Sequence, residues 1–219
     1  MFLDVEADLA AKFPGLRALI IRVKDVDVRP ELRELEQFKE EVAGRTKERW
    51  NLDQLREHPA FRAYRDFFWR VGIDPTKTRP AAEALIRRVL RGRPLPKINT
   101  LVDAYNLASI ESTIPLAAFD EDDLAGDLLM RQADAGEEFL GIGMDKPTTL
   151  KGGEVVVQDG EKLVAIYPHR DADACKITLD TKNTLMLICG VPNIEEGLLK
   201  IAGRVAVGYI IRFCGGSEA

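Results

Sequence analysis

The sequence predicts an α+β protein, with helices concentrated in the first half and short, mostly antiparallel strands in the second. Three observations lead to this. From Glu31 to Ile110, apolar residues recur at spacings of three and four, the period of a helix with one buried face. From Pro115 onward, short apolar stretches alternate with Gly, Pro and Asp turn residues. No repeating strand–helix–strand unit is present, as a parallel sheet would require.

Taken in order, Leu16–Val28 alternates apolar and polar residues after Leu19 and reads as a half-buried strand stopped by Pro30. Glu31–Trp50 carries Leu32, Leu35, Phe38 and Val42 on one helical stripe. Residues 1–50 are the most separable piece, a strand-and-helix extension to a domain spanning 51–219. A second helix covers Leu52–Val71, with His58-Pro59 as a possible break and Gly72 as its stop. Ala81–Arg91 and Asn99–Ile110 follow, the latter capped by Asn99, with Leu101, Val102, Tyr105 and Ala108 facing the core. Trp50 and Trp69 read as core anchors. Glu154–Gln158 and Lys162–Tyr167 form a hairpin in which Asp159-Gly160 supplies a two-residue turn of positive φ. Lys176–Leu179 and Asn183–Cys189 read as further strands. A last helix spans Ile194–Phe213, with Asn193 and Glu196 as a capping box and a buried stripe of Ile194, Leu198, Ile201, Val205 and Tyr209.

Composition narrows the function. The longest apolar runs, Thr184–Cys189 and Val205–Ile211, fall far short of the roughly 20 residues of a membrane span. The first residues, Met1 to Glu6, include acids where a secretory signal carries bases, so a cytoplasmic protein is expected. Cys175, Cys189 and Cys214 are scattered, and the chain has two histidines, His58 and His169. That pattern reads as buried thiols without a disulfide framework or a metal site. Dinucleotide, Walker, nucleophile-elbow and zinc-protease motifs are absent, and no cofactor is expected. Net charge is −5, which disfavours tight binding to phosphates in general. The one basic concentration is Arg79, Arg87, Arg88, Arg91, Arg93 and Lys97, either a solvated helix face or a local grip on RNA.

Two segments carry a family resemblance. One contains Arg79-Pro80 and Leu85, then Pro96-Lys97-Ile98-Asn99-Thr100-Leu101-Val102-Asp103-Ala104-Tyr105-Asn106, then Pro115 and Phe119-Asp120. The other is Thr181-Lys182-Asn183, which opens an apolar strand. Together, from about Phe61 to Val191, they resemble the B3/B4 module of the phenylalanyl-tRNA synthetase β subunit, here as a free-standing member. The resemblance implies an antiparallel-rich, sandwich-like core holding a pocket that, in the synthetase, hydrolyses tyrosine wrongly attached to phenylalanine tRNA. Two departures stand out. The family's histidine position after the proline is Ala117, and its glutamate position is Leu187. Tyr167–Asp173 replaces a glycine-rich stretch, so the editing side chains are not carried over.

The candidate site residues are Asn99, Asp103, Asn106, His169, Arg170, Asp171 and Lys182. Asn99, Asp103 and Asn106 share one helical face, which is either solvated, hydrogen-bonded to a neighbouring loop, or part of a pocket wall. His169 has the chemistry of a base near neutral pH. Arg170 has the fork to hold a carboxylate, phosphate or carbonyl oxygen, ordered by Asp171. The same segment also fits an exposed turn with a local ion pair, and Lys182 fits a strand-end surface residue. Two functions follow: recognition of an aminoacyl group on tRNA, or of a related aminoacyl-like small molecule, extending to hydrolysis of mischarged aminoacyl esters; or a non-catalytic RNA- or small-ligand-binding module.

Overall fold

A computed structural model describes all residues, Met1–Ala219. Seven helices and eleven strands follow in the chain. The helices are α1 (Ala7–Lys12), α2 (Arg33–Arg49), α3 (Leu52–Glu57), α4 (Pro59–Arg70), α5 (Ala81–Leu90), α6 (Thr100–Ser112) and α7 (Glu196–Cys214). The strands are β1 (Asp4–Val5), β2 (Arg17–Lys24), β3 (Leu116–Asp120), β4 (Leu129–Gln132), β5 (Glu138–Phe139), β6 (Thr148–Thr149), β7 (Val155–Gln158), β8 (Leu163–Ile166), β9 (Arg170–Asp171), β10 (Thr184–Gly190) and β11 (Ser217–Glu218).

One sheet has the order β11-β2-β10-β3 and is antiparallel throughout. A second has the order β1-β4-β7-β8-β9 and is antiparallel except for the short β1–β4 pair, and a small two-stranded sheet pairs β5 with β6. The α+β class and antiparallel-rich core expected from the sequence are what the chain forms. The first fifty residues are woven into this core: β2 pairs with β10 along seven residues, from Arg17↔Gly190 to Val23↔Thr184.

Every residue of β10 is buried, because both of its faces are covered. Side chains alternate across a strand, and the two faces have different neighbours. A Cβ at Gly203 of α7 would meet Ile188 and Ile21 side chains, and one at Gly190 would meet Leu199, so that face lies under α7. Leu187 and Cys189 point the other way, into a cavity shared with the second sheet.

The break named at His58-Pro59 does divide the second helical stretch in two, because Pro59 takes the first position of α4 and Asn51 with Gln54 closes a capping box on α3. Several local expectations are corrected. Trp69 is not a core anchor but 57% exposed, while Trp50 packs at the edge of the core. The buried stripe of α7 is Leu199, Ala202, Gly203, Ala206, Val207, Ile210, Phe213 and Cys214, whereas Leu198 and Ile201 face solvent. Small residues line the inner face because the helix lies close against the sheet. Asn193 sits at φ 72° before the helix, and Glu195 rather than Asn193 is the N-cap, so the capping box does not form. Lys176–Leu179 is an irregular stretch after a short 3-10 turn at Asp173–Cys175, not a strand.

Candidate active site

A cavity of about 80 Å³ lies where the two sheets meet. Its walls come from Pro115–Ala117 at the start of β3, from Leu187 and Cys189 of β10, and from Ala165–His169 with Asp171 along β8 and β9. Ala81, the first residue of α5, completes the lining. Ala117 and Leu187 are direct cross-strand partners. The two positions at which the resemblance implies a departure therefore sit side by side in one wall, and both are apolar.

The polar groups of the cavity are few. Tyr167 donates its hydroxyl hydrogen to the Gly190 carbonyl at 2.6 Å, and nearby Tyr64 donates to the Cys189 carbonyl at 2.5 Å. Burial holds both phenols, and the Cys189 thiol, well above their ordinary pKa values. None of them is an available nucleophile near neutral pH. His169 packs edge-on against Phe68, with ring centroids 6.4 Å apart, and burial, aided by Arg170, lowers its pKa.

Asp171 differs from all of these. Its carboxyl is pushed up to about 7, and burial is the cause. A carboxylate in a largely apolar cavity loses water without gaining a charge partner, so its neutral form is favoured. Arg170 does not supply that partner. Adjacent residues of a strand point to opposite faces, and Arg170 is exposed, donating through Nη1 to the Ile142 carbonyl at 3.1 Å, its stem packed over Gly141. The expected ordering of Arg170 by Asp171 is thus not what the chain adopts.

The remaining candidates lie elsewhere. Asn99 caps α6, accepting from the Val102 amide at 2.9 Å. Asp103 is buried, accepting from the Ile98 amide at 3.1 Å and from the ammonium of Lys39 on α2. Asn106 is half-buried on the same helix, and Lys182 is exposed, its carbonyl accepting from the Val26 amide at 2.9 Å. Of the seven residues, the cavity gathers His169 and Asp171. Two other family-like residues meet, Thr181 donating to Asp120 at 2.6 Å, and Asn183 donates to the nearby Asp122 at 3.1 Å. They brace the frame around the cavity. Tyr167 and Cys189, which were not among the candidate site residues, line it. No three His, Cys, Asp or Glu side chains gather as metal ligands would.

Comparison with known proteins agrees with this frame. Residues 63–208, more than half of the chain, match the B3/4 domain. The chain belongs to the B3/4 domain family. Among curated relatives, the phenylalanine–tRNA ligase β subunit of Fusobacterium nucleatum is 37% identical over 95 residues, covering 43% of this chain and 12% of that one. The same subunit of Geobacter metallireducens is 35% identical over 109 residues, covering 49% and 13%. This chain therefore corresponds to a small part of those ligase subunits. An N-terminal fragment of the phenylalanyl-tRNA synthetase β subunit from Pyrococcus horikoshii shares the fold, with a TM-score of 0.52 and 14% identity, over 99% of this chain and 49% of that one.

Proposed function

We propose that this B3/4 protein binds the aminoacyl end of a charged tRNA in the cavity between its sheets and hydrolyses the ester, acting where charged tRNA is found, in the cytosol. The observation that carries this reading is Asp171, a carboxylate with a pKa of about 7 in an otherwise mostly apolar cavity. A general base works best when its pKa lies near the operating pH. In this reading Asp171 takes a proton from a water molecule as that water's oxygen bonds to the ester carbonyl carbon. The carbon–oxygen bond to the ribose then breaks, and the departing ribose oxygen receives the proton from Asp171. Water is consumed, and a free amino acid and a tRNA with a free terminal hydroxyl are released. Aminoacyl esters are already activated, so one positioned base and a water-excluding wall meet much of the need.

Cavity size speaks to the substrate. An apolar cavity of about 150 Å³ takes a benzene ring, and this one has about 80 Å³. Its size favours small aminoacyl groups such as glycyl, alanyl and seryl over phenyl and phenol rings. With Ala117 and Leu187 both apolar, a second reading is non-catalytic capture of a small amino acid, with Asp171 pairing the ammonium.

A deacylation assay on tRNAs charged with amino acids of graded size separates the two. We expect turnover of the small esters, sparing of phenylalanyl and tyrosyl esters, and a loss of at least about 100-fold in Asp171→Asn, the lower end for removing a general base. Saturable binding of a small amino acid without turnover of any ester would leave the second reading in place of the first.

A further inference from the structure

Away from the cavity, the segment Pro75–Lys97 carries seven cationic side chains against a single acid, Glu83, in a chain whose net charge is −5. Two hollows lie along it, of about 420 and 350 Å³; both are lined by Arg79 and Arg87, so they adjoin along α5 and offer a path across it. The second hollow contains Arg88, Arg91 and Arg93 and no carboxylate. The first contains Glu57 and Asp66 as well as Arg62, together with Trp69.

Two features distinguish this groove from an ordinary solvated face. Glu83 is 1% exposed and takes Arg65 at 3.0 Å and Arg87 at 2.7 Å, so a buried acid fixes the groove's floor rather than neutralising its rim. Trp69, 57% exposed, offers an indole face beside arginines, where burying it in the core would have been the favourable alternative. The groove also adjoins the cavity. Trp69 follows Phe68, which packs on His169 of the cavity wall, and Arg79 lies two residues before Ala81 of the cavity lining.

The geometry points to a binding groove for single-stranded RNA, with a base stacked on Trp69 and phosphates held by Arg79, Arg88 and Arg91. An aromatic platform joined to a basic track is how single strands are held without sequence readout. A purely acidic peptide would find the cations but have no use for the indole. The inference rests on the proposed aminoacyl-tRNA substrate, whose single-stranded end would run from this groove to the cavity.

The test is fluorescence anisotropy with a labelled single-stranded RNA of about eight nucleotides, within the usual span of such sites. Salt-dependent binding should weaken about tenfold or more in Trp69→Ala and be largely kept in Trp69→Phe, as expected when one stacked base is removed or retained. The exposed position of Trp69 leaves the fold intact, which circular dichroism checks. Arg88→Ala with Arg91→Ala should flatten the log–log salt slope by about 0.7 for each phosphate no longer neutralised. No binding, binding indifferent to Trp69→Ala, or equal affinity for a glutamate-rich peptide would each overturn the inference. Hydrolysis of alanyl-adenosine by the unaltered protein tests the cavity alone, since that ester has no phosphodiester. Turnover there without RNA binding would therefore reject the groove and keep the enzyme reading, and RNA binding without turnover would do the reverse.

Discussion

Lys39 of α2 and Asp103 of α6 form an ion pair in which the two side chains are only 6% and 3% exposed. The ammonium also reaches the Pro96 carbonyl at 3.1 Å, and the carboxylate accepts the Ile98 amide at 3.1 Å. Together they tie α2 to the loop that leads into α6. Burial raises the pKa of Asp103 while Lys39 opposes that rise. Removing one partner of such a pair strands a buried charge and costs roughly 3–5 kcal/mol. Lys39→Met should therefore lower the unfolding free energy by about that much in a denaturant titration. Lys39→Met combined with Asp103→Leu should lose less than Lys39→Met alone. A loss in the single variant no larger than that of an exposed ion pair would contradict this view of the pair.

Gly160 provides a second test of how the frame is held. The residues between β7 and β8 form a loop from Asp159 to Lys162, since Gln158 pairs with Leu163. The Asp159 carboxylate organises it by accepting the Glu161 and Lys162 amides at 2.8 and 2.7 Å. Gly160 is not at positive φ; it is small because the Ala125 carbonyl oxygen would lie 2.6 Å from a Cβ there. Gly160→Ala should destabilise by about 1–3 kcal/mol, the scale for forcing atoms into a packed site. Thermal unfolding unchanged from the parent chain would show that the Ala125 segment yields freely.

The sequence showed helices where apolar residues recur at helical spacing, and α5 and α6 begin and end within two residues of expectation. It misread which face of α7 is inside, because Leu198 and Ile201 are large while the inner face is built from Ala202, Gly203 and Ala206. Hydrophobicity ranks side chains by size, whereas a helix lying close on a sheet selects for smallness. The hairpin turn was misplaced for a related reason, since a tertiary contact at Ala125, not backbone preference, requires Gly160. Within the site, Ala117 and Leu187 could each be named from the resemblance. Their pairing could not, because it follows from the β3–β10 register. Asp171 was legible as a candidate, but its separation from Arg170 depends on β9 being a strand, too short to read from alternation.

Ala117 offers a direct probe of the cavity. It lies beside Leu187 in the wall, and the isopropyl group that leucine adds to its Cβ would project into the cavity. Ala117→Leu should abolish ester hydrolysis by occlusion while costing about 1–3 kcal/mol in stability. Kinetics that separate KM from kcat, measured below the unfolding temperature, check this. Undiminished turnover would place the substrate elsewhere.

Asp171 should also leave a mark on stability. In the unfolded chain its carboxyl ionises near its ordinary value of 3.8, and in the folded chain near 7. Between those values the unfolded state releases a proton that the folded state keeps, so rising pH favours unfolding across that window. Asp171→Asn removes this dependence. The variant and parent should be of similar stability near pH 4, and the variant should be the more stable above pH 7, as read from denaturant midpoints at a series of pH values. A constant difference across the series would mean that Asp171 has an ordinary pKa.

The same residue sets the pH dependence of turnover. A general base must be ionised to accept a proton, so the rate on a small aminoacyl ester should climb through about pH 7 and level off above it. Burial lowers the pKa of His169, which moves any inflection it contributes further below that of Asp171. Asp171→Asn should reduce the rate by at least about 100-fold and erase the inflection. Arg170 gives the contrast, being adjacent in sequence but turned outward to the Ile142 carbonyl. Arg170→Ala should leave both the midpoint and most of the rate in place. If Arg170→Ala were the variant that lost about 100-fold, on the scale of an oxyanion donor, the guanidinium would have to swing into the cavity when substrate binds. The chemistry would then belong to Arg170, and Asp171 would be reduced to lining.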